Sequence, residues 1–120
     1  MAPTDSTDNI PRRSNASALS LWQRVYTRMV QEGRANLSTR QLSIMFTVYL
    51  SSPPHTVRGL SAHLEVTKPV ISRACLSLEK LGLIKRTPDE ADKRSILVQR
   101  TSRGAAFLAD LSELIVESDT

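Results

Sequence analysis

The chain has 120 residues, 40% of them apolar and only 4% aromatic, which is enough for one domain with a core of Leu, Val, Ile and Ala and too little for two. No apolar run approaches the ~20 residues that span a bilayer, no secretory leader opens the sequence, and the lone Cys75 rules out an internal disulfide and fits a reducing cytoplasm. The net charge of +4 is uneven: residues 34–104 carry twelve Lys/Arg against five Asp/Glu, while residues 105–120 carry four acids and no cation, so the middle of the chain has the footprint of a polyanion binder.

Residues 1–14 are polar, include two prolines and show no periodicity. They predict a disordered arm, with Arg12 and Arg13 solvated or touching a phosphate backbone. From Asn15 onward Ala18, Trp22, Val25, Tyr26 and Met29 recur at helical spacing, with Gln23, Arg24 and Arg28 on other faces. That is an amphipathic helix over residues 15–33, stopped near Gly33. In LSTRQLSIMFTVYLSSPP, Ser38 and Gln41 have capping-box spacing and Leu42, Met45, Phe46, Tyr49 and Leu50 form the apolar stripe of a second helix. Ser51, Ser52, Pro53 and Pro54 end it. A short third helix starts near Thr56 and buries Leu60 and Leu64, although Gly59 inside it is worse than Ala by about 1 kcal/mol.

The fourth helix lies in TKPVISRACLSLEKLG, with Thr67 as N-cap, Pro69 in the first turn and Gly82 as the stop. Two β-prone runs, LIKRT at 83–87 and SILVQR at 95–100, flank PDEAD and predict a hairpin with a long tip. Thr101 then caps a last helix whose stripe is Phe107, Leu108, Leu111, Leu114 and Ile115. The expected fold is mainly α with a small β-hairpin wing.

On a helical wheel Ile71, Ala74, Cys75, Leu78 and Leu81 share the buried side of the fourth helix. Pro69, Ser72, Arg73 and Leu76 lie opposite, flanked by Lys68 and Val70. Small, polar and cationic groups at a positive helix end suit a helix that enters the major groove; the bland alternative is an ordinary solvated face. A hairpin placed directly after such a helix makes a winged helix, whose tip cation can reach an adjacent minor groove. In RTPDEADKRS, Asp89 and Glu90 then read as solvated tip residues, and Asp92 as the carboxylate that orients the Arg94 guanidinium.

LSTRQLSIMFTVYL, LSAHLEV, VISRACLSLEKLGLIKR and DKRSILVQRTSRG, in this order over about residues 37–104, resemble the MarR-type winged-helix transcriptional regulators. The resemblance implies a protein that binds a pseudo-palindromic operator in double-stranded DNA as a homodimer, with no enzymatic activity and no cofactor. It implies that Arg94 of the Asp-x-Arg wing motif enters the minor groove and that Asp92 helps hold the wing. Ser72 and Arg73 match the serine-arginine of the reading helix, and Arg86 matches the arginine that closes the first wing strand. Thr67, Lys68 and Pro69 complete the major-groove set, and Arg40, Arg58, Arg86 and Lys93 are phosphate candidates.

The same resemblance divides residues 15–120 into a reading head at about 37–101 and a dimerisation lobe from helices 15–33 and 102–117. Trp22, Val25, Tyr26, Met29, Phe107, Leu111, Leu114 and Ile115 would form the lobe's contact surface, unless both stripes simply pack on their own domain. Family members usually run longer in these helices, which leaves a small-molecule effector doubtful. The setting implied is the bacterial cytoplasm, at the nucleoid. A second class is a winged-helix module that binds a partner protein and no longer reads DNA.

Other chemistry is thinly represented. Cys75 on the buried side reads as an inert small hydrophobe. His55 and His63 are separated by a turn and a helix with no third ligand at metal spacing. No nucleophile elbow, HExxH or phosphate-binding glycine loop is present, so catalysis is not expected.

Overall fold

In the computed structural model, which describes residues 13–119, five helices and one hairpin follow in the expected order. They are α1 (Asn15–Gln31), α2 (Thr39–Leu50), α3 (Val57–Leu64), α4 (Lys68–Lys80), β1 (Ile84–Pro88), β2 (Ile96–Arg100) and α5 (Ser102–Ser118). The expected arm, apart from Arg13 and Ser14, lies outside the described residues. The described residues separate into two compact units, one of residues 35–111 and one formed by the described residues up to Arg34 together with those from Ser112 onward.

The larger unit is a winged helix, and local chemistry sets most of its boundaries. Ser38 accepts from the Gln41 backbone N–H at 3.1 Å while Gln41 Oε1 accepts from Ser38 N–H at 2.7 Å, a complete capping box that starts α2. Thr56 accepts from Gly59 N–H at 2.9 Å and starts α3. Glu65, at φ 56, ends α3 in the left-handed region, and only Val66 and Thr67 separate it from α4. β1 and β2 pair antiparallel with Ile84 opposite Arg100 and Pro88 opposite Ile96. A single bridge between Thr56 and Leu97 adds the segment before α3 to the edge of β2.

The core of this unit draws Ile44, Met45 and Val48 from α2, Val57 and Leu60 from α3, Ile71, Cys75 and Leu78 from α4, and Leu83, Ile84 and Val98 from the hairpin. Removing one such side chain down to Ala costs about 2–5 kcal/mol. Two expectations are corrected here. The buried face of α2 is Ile44–Met45–Val48, whereas Phe46 and Leu50 are exposed; apolar residues cover more than half of α2's circumference, so periodicity alone does not centre its buried face. Leu81 is also exposed, because α4 ends at Lys80 and the buried positions pass to Leu83 and Ile84.

A polar clasp closes the base of the wing. The Tyr49 hydroxyl donates to the Leu83 carbonyl at 2.6 Å and accepts from Thr101 N–H at 3.0 Å. Thr101 Oγ1 donates to the Gly82 carbonyl at 2.7 Å and accepts from Gly104 N–H at 2.9 Å, capping α5. Gly104 is required at this close approach, since a Cβ there would overlap the Tyr49 hydroxyl and the Leu83 carbonyl. Arg100 caps the other end of α2, donating to the carbonyls of Val48 and Ser51, each at 2.9 Å.

In the smaller unit Val25 and Leu114 are buried. Arg24 Nε donates to the Ser118 carbonyl at 2.7 Å, satisfying an acceptor at the end of α5. Arg28 pairs with Glu117 and Glu32, Arg34 with Glu32, and Arg13 with Asp119. Trp22 and Tyr26 stack with ring centroids 5.3 Å apart. Trp22 is nonetheless 57% exposed and Val30 81%.

Candidate nucleic-acid interface

Helix α4 opens with Thr67 in extended geometry as N-cap, but without a side-chain cap bond. Its carbonyl accepts from Val70 and Ile71, each at 3.1 Å, while the hydroxyl makes no helix-capping contact. Proline in the first turn removes an N–H that the helix could not pair internally. Burial of Ile71, Cys75 and Leu78 fixes the rotation of the helix, which leaves Lys68, Pro69 and Arg73 exposed and Ser72 half-buried on the other side. The two faces of the wheel are thus as expected, apart from Leu81.

Arg73 and Arg40 line one shallow hollow of about 370 Å³, together with Ser38, Gln41, Val70, Ala74 and Ser77. No carboxylate lines it. The N-terminus of α2 adds its partial positive charge to the two guanidiniums. Ser77 and Gln41 were not among the candidates. Ser77 lies four residues after Arg73 and so shares its helix face, a signal the wheel contains. Arg58 is exposed on α3, and Lys93 at the wing tip.

At the tip, Asp89 N–H donates to the Ser95 carbonyl at 3.0 Å and Ser95 N–H to the Asp92 carbonyl at 2.9 Å. Asp89 Oδ1 accepts from Ala91 N–H at 2.9 Å, so Asp89 is part of the turn and not merely solvated. Asp92 Oδ1 accepts from the backbone N–H of Arg94 at 3.1 Å and Oδ2 from the Ser95 hydroxyl at 3.2 Å. The Arg94 Nε stands 3.8 Å from Asp92, too far for a hydrogen bond, and the side chain is 89% exposed. The carboxylate therefore steadies the backbone under Arg94, where the sequence suggested a grip on the guanidinium. Arg86, a phosphate candidate, is half-buried and engaged by Glu79. Its own charge is already balanced inside the fold.

The arginines and lysines divide by partner. In the smaller unit Arg13, Arg28 and Arg34 are ion-paired and Arg24 is bound to a carbonyl. In the winged helix, among the described residues, Arg40, Arg58, Lys68, Arg73, Lys80, Lys85, Lys93 and Arg103 have no carboxylate within ion-pair distance. Arg100 is bound to two carbonyls, Arg86 is paired with Glu79, and Arg94 has a carboxylate at its limit. Cations left without a protein partner are available to an external anion.

Two other sequence candidates resolve plainly. Cys75 is buried, and burial pushes its thiol up to about 11, far from a reactive thiolate. Of the lobe residues, Phe107 packs against the core of the winged helix, and Val25, Leu111 and Leu114 are buried, while Trp22, Tyr26 and Ile115 are exposed. Leu19, Val30 and Val116 are exposed as well and were missed, although Leu19 and Val30 continue the Trp22–Tyr26 spacing.

The sequence profile of the MarR family matches residues 35–95. Among solved structures, the Staphylococcus aureus MepR–DNA complex superposes with a TM-score of 0.71 at 19% identity, covering 86% of this chain and 82% of that one. Transcriptional regulator Tm0710 from Thermotoga maritima gives 0.67 at 23% identity, covering 83% and 68%. The YusO protein from Bacillus subtilis gives 0.69 at 19% identity, covering 85% and 70%. No curated protein matches the chain at a significant level.

Proposed function

Since the chain belongs to the MarR family of winged-helix transcriptional regulators, we propose that it binds a pseudo-palindromic operator in double-stranded DNA as a homodimer. The observation that carries this reading is a group of exposed cations on one winged helix: Lys68, Arg73, Arg40, Arg58 and Lys93, with no carboxylate within ion-pair distance among the described residues, and the 89%-exposed Arg94, with one only at its limit. A MepR structure of the same fold is a DNA complex. The major groove, about 12 Å wide, admits one helix, and the first turns of α4 offer it Thr67, Lys68, Pro69, Ser72 and Arg73. Arg73 supplies the fork that pairs with guanine or phosphate, and Ser72 is short enough to let the backbone approach. Arg94 enters the flanking minor groove, where negative potential is concentrated. Arg40, Arg58 and Lys93 meet phosphates and set register without reading sequence.

The exposed stripe of Leu19, Trp22, Tyr26 and Val30 on α1, with Ile115 and Val116 on α5, supports association with a second copy. Two-fold symmetry then places half-sites about 10 bp apart. The test is a duplex selected from a randomised library by the purified protein, titrated by fluorescence anisotropy over a range of salt. Each phosphate contact contributes about −0.9 to the log–log slope, so three such residues from each protomer of the dimer predict a slope of roughly −5. Binding that shows no preference over random duplex, or that ignores salt, overturns the proposal and favours a protein-binding module.

A further inference from the structure

One ion pair joins the reading helix to the wing. Glu79, in the last turn of α4, accepts two hydrogen bonds from a single residue of β1: Oε2 takes the Arg86 backbone N–H at 3.1 Å and Oε1 takes Arg86 Nε at 3.1 Å. Both side chains are half-buried. Among the described residues these are the only side-chain hydrogen bonds between α4 and the strands of the hairpin. Leu83 and Ile84 anchor the hairpin at the start of β1. β2 is held by Val98 in the core, by the Val98 N–H donating to the His55 carbonyl at 2.8 Å, by the Thr56–Leu97 bridge and by Ile96 against the core, while Lys85, Pro88, Gln99 and most of the tip are exposed.

Arg86 sits opposite Val98, halfway along the five-residue strand. From there to the tip the chain runs three residues, or about 10 Å. A tilt of about 10° at that point therefore moves the tip by roughly 2 Å, against the ~0.5 Å that a preorganised contact tolerates. The contacts of β2 run to the core and to the segment before α3. Among the described residues only the Glu79 bonds tie the middle of β1 to α4 by side-chain hydrogen bonds and oppose such a tilt directly. A carboxylate is suited to resist it, since its two oxygens accept a backbone N–H and a guanidinium N–H at once.

We propose that Glu79 and Arg86 are positioning residues, a clamp that fixes the angle between α4 and the wing so that Arg73 and Arg94 meet one duplex in register. The inference rests on the groove-reading assignment above. It gives Arg86 a role that needs no contact with DNA. Glu79→Ala releases the clamp. Glu79→Gln keeps one acceptor but turns its amide toward one of the two donors, and Arg86→Lys keeps the charge and the backbone bond.

The experiment is a double-mutant cycle on the duplex selected by the wild-type protein, with Glu79→Ala and Arg94→Ala alone and combined. Glu79→Ala is expected to weaken binding about tenfold, within the range of one lost base contact. It should weaken binding little further once Arg94 is already Ala. Hydroxyl-radical footprints should lose the flanking minor-groove protection and keep the central one. Glu79→Gln should fall between Glu79→Ala and wild type, and Arg86→Lys close to wild type, with thermal melts showing that each variant is folded. Equal losses in both backgrounds, or intact flanking protection, overturn the clamp while leaving the groove assignment standing. An Arg94→Ala variant with wild-type affinity overturns the assignment and the clamp with it.

Discussion

Tyr49→Phe removes one oxygen atom and keeps the ring, which lies against the core of the winged helix. That oxygen serves two backbone groups, the Leu83 carbonyl at 2.6 Å and Thr101 N–H at 3.0 Å. A typical hydrogen bond contributes ~1 kcal/mol net, and a partner left unsatisfied in a half-buried site raises that figure. The expected loss is therefore about 2–3 kcal/mol, or roughly 10 °C in melting temperature for a chain of this size. Urea unfolding at fixed protein concentration should show the midpoint lowered by about 1 M with an unchanged slope, because no additional surface is exposed by the substitution. Gly104→Ala should also destabilise, by driving a methyl group into the same hydroxyl and the Leu83 carbonyl. The two changes should be less than additive, since removing the hydroxyl vacates part of the space the methyl needs. A loss below about 0.5 kcal/mol for Tyr49→Phe, or strict additivity with Gly104→Ala, would refute the clasp as the tie between α2, the wing base and α5.

Arg73→Ala and Arg94→Ala should each weaken specific binding by about 1–3 kcal/mol without lowering the melting temperature, and wild-type affinity for both on the selected duplex removes their assigned roles. Trp22 is the only tryptophan and is exposed in the single chain, so dimerisation through α1 should shift its emission to the blue as concentration rises; emission that stays constant across a dilution series that changes the sedimenting mass places the interface elsewhere. Cys75, with its thiol pushed up to about 11 by burial, should react with a disulfide reagent at pH ~8 only after denaturation; reaction at the rate of a free thiol in the native protein contradicts its burial. Glu32 and Glu79 are held below the usual carboxylate range, Glu32 by Arg34 and Arg28, Glu79 by the backbone and side chain of Arg86. The unfolded chain then binds more protons in acid, so their stabilisation is present above the unfolded value and is lost as pH falls through the folded one. The Glu32→Gln/Glu79→Gln double variant should show a flatter loss of stability between about pH 5 and 3 than wild type, and equal slopes would contradict both pairings.

Most of the element order could be read from local signals. Capping by Ser38, Gln41 and Thr56, Pro69 in the first turn, and the positive φ of Gly33 and Gly82 each involve groups within a few residues of one another. The exposed face of α4 followed from one strongly patterned wheel. What escaped depended on groups brought together by the tertiary fold. The centre of α2's buried side is undetermined by a helix whose apolar residues cover more than half of its circumference. Glu79 and Arg86 meet only because the chain turns back at Gly82, and Arg100 finds the α2 carbonyls from about fifty residues away. At the wing tip the residue types were recognised but the bond was misplaced: Asp92 had a backbone N–H nearer than the guanidinium, and the shorter contact prevailed.

That choice of partner separates two kinds of inheritance in the wing. The turn is closed by hydrogen bonds of Asp89, Asp92, Ser95 and main-chain atoms, and beyond the Cα of Arg94 the side chain adds only a 3.8 Å ion pair with Asp92. A gene copy can therefore exchange Arg94 for other side chains without first acquiring a compensating change for the fold. Proline is the exception, because the turn uses the N–H of residue 94. On the proposed assignment of Arg94 to the minor groove, position 94 is thus a socket in which preference for DNA can drift while the wing that presents it is inherited intact.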